Sequence, residues 1–157
     1  MDKSEIYILG YDFEKISRYL FEIADEYRKS VDYNFEPDHM SERTQMCITE
    51  ILDEFQMNKR WCGYQYHLEA IFLYLNTPTT AFKIMDVYAL LAEKHHKNRM
   101  AIEHDMRNLL EHTWDRGNRK AMIRYFGNDY MRPKNKAFIV RIAEEVRLRT
   151  NPISYHS

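Results

Sequence analysis

A chain of 157 residues has room for one domain with an appended helical segment. Its 45% hydrophobic and 14% aromatic content excludes a disordered chain. Four glycines and four prolines leave little material for a many-turned β fold, and the frequent Leu, Met, Glu, Lys, Arg and Ala favour an all-α protein.

The net charge of −1 says little, but its distribution is uneven: residues 1–57 carry 6 Lys and Arg against 14 Asp and Glu, and residues 58–157 carry 17 against 10. A basic half joined to an acidic appendage is the footprint expected of a nucleic-acid-facing domain; a chance dipole between two solvated faces is the bland alternative. No basic region followed by an apolar stretch opens the chain, and no apolar run approaches the ~18 residues of a membrane span. A cytoplasmic protein without a membrane partner is therefore expected. Cys47 and Cys62 have no metal-ligand spacing and read as reduced thiols, with disulfide pairing as the lesser alternative.

In chain order, Asp12 is a plausible N-cap for a helix over 11–31 that places Phe13, Ile16, Leu20, Ile23 and Tyr27 on one apolar seam. The seam lasts only about two heptads, so it can pack on its own domain or pair two protomers as a homodimer. Pro and Asx residues mark 32–42 as a linker, which divides the chain into an acidic segment 1–42 and a domain 43–157. Residues 43–56 then put Cys47, Ile48, Ile51, Leu52 and Phe55 on one face. After the turn Asn58-Lys59-Arg60, a helix over 61–75 turns Tyr66, Ala70, Ile71 and Tyr74 inward. Residues 76–80 break it, and Thr79 or Thr80 can cap a helix whose period continues through Phe82, Met85, Tyr88, Leu91 and Ala92 to about His95.

The polar turn His96-Lys97-Asn98 follows, with Asn98 as N-cap. The next helix recurs through Ile102, Met106, Leu109 and Thr113 and leaves Arg99, Glu103, His104, Arg107 and Asn108 outside. Gly117 can end it in the left-handed conformation. Helix, short turn and second helix is the helix-turn-helix pattern, whose second helix enters the major groove with its N-terminal residues on base edges. Arg99, Met100, Glu103, His104 and Arg107 are the base-facing candidates, since Arg suits guanine, Glu the cytosine amino group and His a purine edge. An ordinary surface helix with Arg99–Glu103–Arg107 ion pairs fits the same pattern. Lys97, Asn98, Arg116, Lys120, Lys134 and Lys136 are phosphate-facing candidates, and Arg119 and Arg124 add to the basic density. Asn135 is placed to cap a final helix through Phe138, Ile139, Ile142 and Val146.

Several of these segments resemble one family. They include Leu52-Asp53-Glu54-Phe55, Gly63-Tyr64-Gln65-Tyr66, Glu69-Ala70-Ile71 and Ala92-Glu93-Lys94-His95. Most specific are Trp114-Asp115-Arg116-Gly117-Asn118 and Arg132-Pro133-Lys134-Asn135 before Phe138-Ile139. Over about 48–149 the chain is similar to the C-terminal effector domain of the stage-zero sporulation master regulator of endospore-forming bacteria. The resemblance implies a bundle of about six helices with an internal helix-turn-helix, a transcription factor, and a recognition helix at 99–114. Glu103 and Arg107 keep residue types expected on its reading face, whereas Ala101 and His104 stand where the family has arginines. The family's regulator also carries a receiver domain, and the residues before 43 are too few for one.

A partner-binding module of the same fold is the alternative to a DNA reader. An enzyme or metalloprotein is not expected, and neither is a cofactor or metal. His104 and His112 are two turns apart, about 12 Å, too far to share one ion, and His95 and His96 point apart. No Gly-rich phosphate loop, nucleophile elbow or paired-carboxylate motif is present.

Overall fold

The computed structural model describes residues 40–77 and 80–150. They form six helices and no strand: α1 (Glu42–Glu54), α2 (Cys62–Asn76), α3 (Ile84–His95), α4 (Arg99–Arg116), α5 (Arg119–Phe126) and α6 (Asn135–Thr150). The all-α expectation and the number of helices in the bundle are met. The expected helix at 11–31, most of the linker and Thr79 lie outside the described residues. Cys47 and Cys62 are both free, the first buried and the second exposed. No described helix is long and apolar enough to cross a membrane.

Local chemistry sets the ends of α1. The Ser41 hydroxyl accepts the Thr44 N–H at 3.2 Å, satisfying one of the unpaired amides of the first turn. At the other end, Gln56 N–H donates to the Asp53 carbonyl and Met57 N–H to that of Leu52, a closure that needs Gln56 in the left-handed region at φ 56°. Between them Cys47, Ile48, Ile51 and Leu52 are buried, and Phe55 follows with no exposure.

α2 runs through the centre. The inward set Tyr66, Ala70, Ile71 and Tyr74 is buried as expected, but so is nearly every other residue from Gly63 to Tyr74, with Gln65 exposed. A helix covered by α1, α4 and α6 keeps little solvent face, which is why its pattern shows no clean polar stripe. Its contact with α4 requires Gly63, where a Cβ would come within 2.4 Å of the Asp105 carbonyl oxygen.

Three expectations about helix ends need correction. The third helix starts at Ile84, after Lys83, and not at Thr79 or Thr80. Phe82 is therefore buried from the preceding segment, with its ring 4.8 Å from that of Tyr74, while Met85 falls on the opposite side and is 60% exposed. Gly117 ends α4 with extended backbone (φ −85°, ψ −160°), not left-handed. Glycine is needed there for close approach, because a Cβ would lie 2.4 Å from the Phe55 carbonyl oxygen. That carbonyl accepts the Asn118 N–H at 3.0 Å, and the Asn118 amide donates to the Glu54 carbonyl while its oxygen caps α5. Asn135, finally, is the first residue of α6 and is buried. Its amide donates to the Tyr88 hydroxyl at 3.1 Å and the Glu103 carbonyl at 3.4 Å instead of capping its own helix.

The Gly117-Asn118 junction thus ties the end of α1 to the start of α5. It closes over an aromatic cluster in which Phe55 meets Tyr125 at 4.9 Å and Phe138 at 5.4 Å, and Phe126 stacks on Phe138. Phe138, Ile139, Ile142 and Val146 of α6 are all buried, completing the core.

Candidate nucleic-acid interface

The α3–α4 connection is built from sequence-local bonds and one buried acid. His96 lies in the left-handed region (φ 54°, ψ 44°), its N–H donating to the Glu93 carbonyl and that of Lys97 to the Ala92 carbonyl. Two residues later Asn98 adopts extended backbone, and its side-chain oxygen accepts the Ala101 N–H at 2.7 Å to start α4. From below, Glu69 of α2 is only 3% exposed and takes Lys94 Nζ on one oxygen and His95 Nε2, 2.6 Å away, on the other. A desolvated carboxylate with two partners on the last turn of α3 fixes where that helix stops. Gly63 then sets how closely α4 lies on α2.

On α4, Ile102, Met106, Leu109 and Thr113 are buried as expected, together with Leu110. At 3.6 residues per turn, Arg99, Met100, Glu103, His104 and Arg107 fall within an arc of about 140° on the N-terminal half. All five expected base-facing residues therefore share one face. Glu103 is half-buried and pairs with Arg107 across one turn at 3.3 Å. Arg107 Nη2 donates to His104 Nδ1 at 3.2 Å. The Asn108 amide nitrogen lies 2.9 Å from His104 Nε2, so two donors, one from Arg107 and one from Asn108, flank the two ring nitrogens. Arg99 is exposed and makes no ion pair among the described residues, and Met100 is 81% exposed.

The two flanks of this arc differ. On one side, Met85, Tyr88 and Met100 line a hollow with Asn98, Arg99 and His104. On the other, Arg132, Lys134 and Lys136 line a hollow with Ile84, Tyr88 and Arg107, so the loop before α6 and the first turn of α6 bring their cations to this part of α4. Arg132 is also bound to Glu111 of α4 at 3.2 Å, and buried Asn135 holds the loop's end between Tyr88 and Glu103.

The phosphate-facing candidates therefore separate into groups. Lys134 and Lys136 stand beside the arc. Lys97 adjoins it but is drawn inward, 3.6 Å from Asp105 and over the Tyr66 ring at 5.7 Å. Asn98 has its oxygen committed to the cap. Arg116 is exposed at the far end of α4, about 25 Å along the helix from Arg99, and Lys120 is exposed at the start of α5. Of their neighbours, Arg119 lies over Trp114 at 4.4 Å and bonds the Asp129 carbonyl, and Arg124 pairs with Glu54.

Sequence reasoning missed Met85, Tyr88 and Arg132 as members of this region, and Glu69 and Asn135 as its supports. The one available signal was the co-occurrence of Glu69 with Lys94-His95 and of Arg132-Pro133-Lys134-Asn135 among the family-like segments. The histidines do not converge: His112 packs on Trp61 at 4.5 Å, away from His104. No group of three His, Cys, Asp or Glu among the described residues could hold a metal ion.

A helical bundle that presents a polar arc at the start of a helix after a tight turn, with cations beside it, has the build of a DNA-binding effector domain. Residues 48–146 match the family described as "Sporulation initiation factor Spo0A C terminal", and the chain belongs to that family. It is a family of DNA-binding effector domains of a sporulation regulator and not an enzyme family. The resemblance read from residues 48–149 is thereby established over nearly its whole extent.

Proposed function

We propose that this protein is a sequence-specific reader of double-stranded DNA and regulates transcription, with the N-terminal half of α4 in the major groove. Arg99, Met100, Glu103, His104 and Arg107 would face the base edges. Lys134 and Lys136, with Lys97 and the free amides of the first turn of α4, would hold phosphates at that end. Arg116 and Lys120 would reach the backbone farther along the duplex, since a groove about 12 Å wide cannot hold both ends of so long a helix. The observation that carries this reading is the meeting of the α4 arc with Lys134 and Lys136 around one hollow. Within the arc, the Glu103–Arg107 pair is open to solvent on its Arg107 side and is worth about 1 kcal/mol at most, so a base or phosphate can displace it at little cost. Such a protein would work where the DNA is, in the cytoplasm.

Selection of duplexes from a random pool, followed by titration at ~50 and ~200 mM salt, tests the proposal. Enrichment of one sequence, with affinity falling by orders of magnitude between the two salts, is the expected result. No enrichment at low salt would sink it.

A second reading, a partner-binding module of the same fold, is favoured by one feature: Ala101 and His104 stand where the family resemblance leads one to expect arginines. It predicts weak, unselective DNA binding in the same titration. We also propose that the acidic segment up to residue 42 is a separate module that covers the effector domain or pairs two protomers. Sedimentation with and without it discriminates, provided the truncation spares buried Met40 and the Ser41 cap. Monomers in both cases would exclude the dimer.

A further inference from the structure

We infer that Met100, supported by Met85, makes this protein a reader of the thymine 5-methyl group at one position of its site; the inference rests on the DNA-binding reading above. Met100 is the second residue of α4 and falls within the reading arc, between Arg107 and His104 around the helix. It is 81% exposed, and Met85, one helix away, is 60% exposed. Both line the same hollow at the start of α4, together with buried Tyr88 and exposed Arg99. Single exposed apolar side chains are unremarkable on a protein surface, but two that share a hollow beside a cationic, base-facing arc form an apolar slot in a polar site.

In the major groove the one apolar group on a base edge is the C5-methyl of thymine. The neighbours of Met100 set its reach. Glu103 and Arg107 are tied to each other and Arg107 to His104, which leaves Arg99 and Met100 as the members of the arc not engaged in a polar contact among the described residues. An unbranched thioether with three rotatable bonds can settle over a methyl group without precise placement. Removing a methyl group from water into such a contact is worth about a three- to fivefold change in affinity.

The test uses the full chain and the duplex enriched by selection, with each thymine replaced in turn by deoxyuridine, which removes only the methyl group. One replacement should weaken binding about three- to fivefold. That discrimination should vanish in Met100→Ala and shrink in Met85→Ala, with the salt slope unchanged because no phosphate contact is lost. Restoration by Met100→Leu would confirm that apolar contact carries it. Equal affinity for thymine and deoxyuridine duplexes at every position, or discrimination that persists in Met100→Ala, overturns the inference while leaving DNA binding intact. Absence of any binding at low salt overturns the DNA-binding reading as well, so the two failures are distinct.

Discussion

Gly63 and His67 lie four residues apart on α2, and each makes a sharp demand on its surroundings. A methyl group at Gly63 would collide with the backbone of α4, which cannot rotate away as a side chain can. Gly63→Ala should destabilise the fold by about 1–3 kcal/mol in urea unfolding and should weaken DNA binding beyond its effect on stability, because α4 itself is displaced. His67 is fully buried; its Nε2–H donates to the Met106 carbonyl at 3.0 Å, and burial pushes the imidazole down to about 4. The unfolded chain binds this proton below its ordinary value near 6.5, whereas the native state resists it until about pH 4. The stability tied to a neutral His67 is therefore complete above pH 6.5 and lost as pH falls towards 4. The loss should amount to about 3 kcal/mol. Chemical denaturation across that window should show a shallower slope for His67→Gln than for the native sequence; parallel slopes would refute the assignment.

At the scale of elements, the turn between α3 and α4 is the part most open to engineering. His96 holds a left-handed conformation that disfavours a side chain, so His96→Gly should stabilise the protein by about 0.5–1 kcal/mol in thermal or urea unfolding. Gln56→Gly at the end of α1 should do likewise. Asn98→Ala removes the cap of α4 and should cost about 1 kcal/mol, with fraying of the turn that carries Arg99 and Met100. Replacing Glu69 by Ala removes the buried carboxylate that Lys94 and His95 share at the end of α3, and its effect should exceed that of the cap. These elements were legible to different degrees. Asn98 announces its cap because its side chain acts within three residues of itself. Gly117 was misassigned because its need for glycine comes from a carbonyl on α1 rather than from its own backbone angles.

At the scale of the molecule, the bundle separates cations that look equivalent in the sequence. Lys134 and Lys136 share the end of α4 that carries the polar arc, whereas Arg116 lies about 25 Å along that helix from Arg99 and Lys120 follows it on α5. Lys134→Ala and Lys136→Ala should each weaken binding to all sequences alike and lower the slope of log affinity against log salt by about 1. Arg119→Ala should instead act on stability, since its guanidinium is spent on Trp114 and the Asp129 carbonyl. A normal salt slope in the lysine variants would move the phosphate contacts elsewhere.

The primary sequence by itself determined the all-helical class, the α3–turn–α4 arrangement, the α4 seam and the set of residues on its outer arc. All of these follow from a 3.6-residue period and from capping chemistry, which act over a few positions along one chain. Only the tertiary structure decided that Glu69, His67 and Asn135 are buried supports, that Met85 faces out, and which lysines stand beside the arc. Those facts depend on partners tens of residues distant, such as Lys94 and His95 for Glu69 or Tyr88 for Asn135. A polar side chain is stable in the interior only where such partners are delivered to it, and packing alone determines where that is.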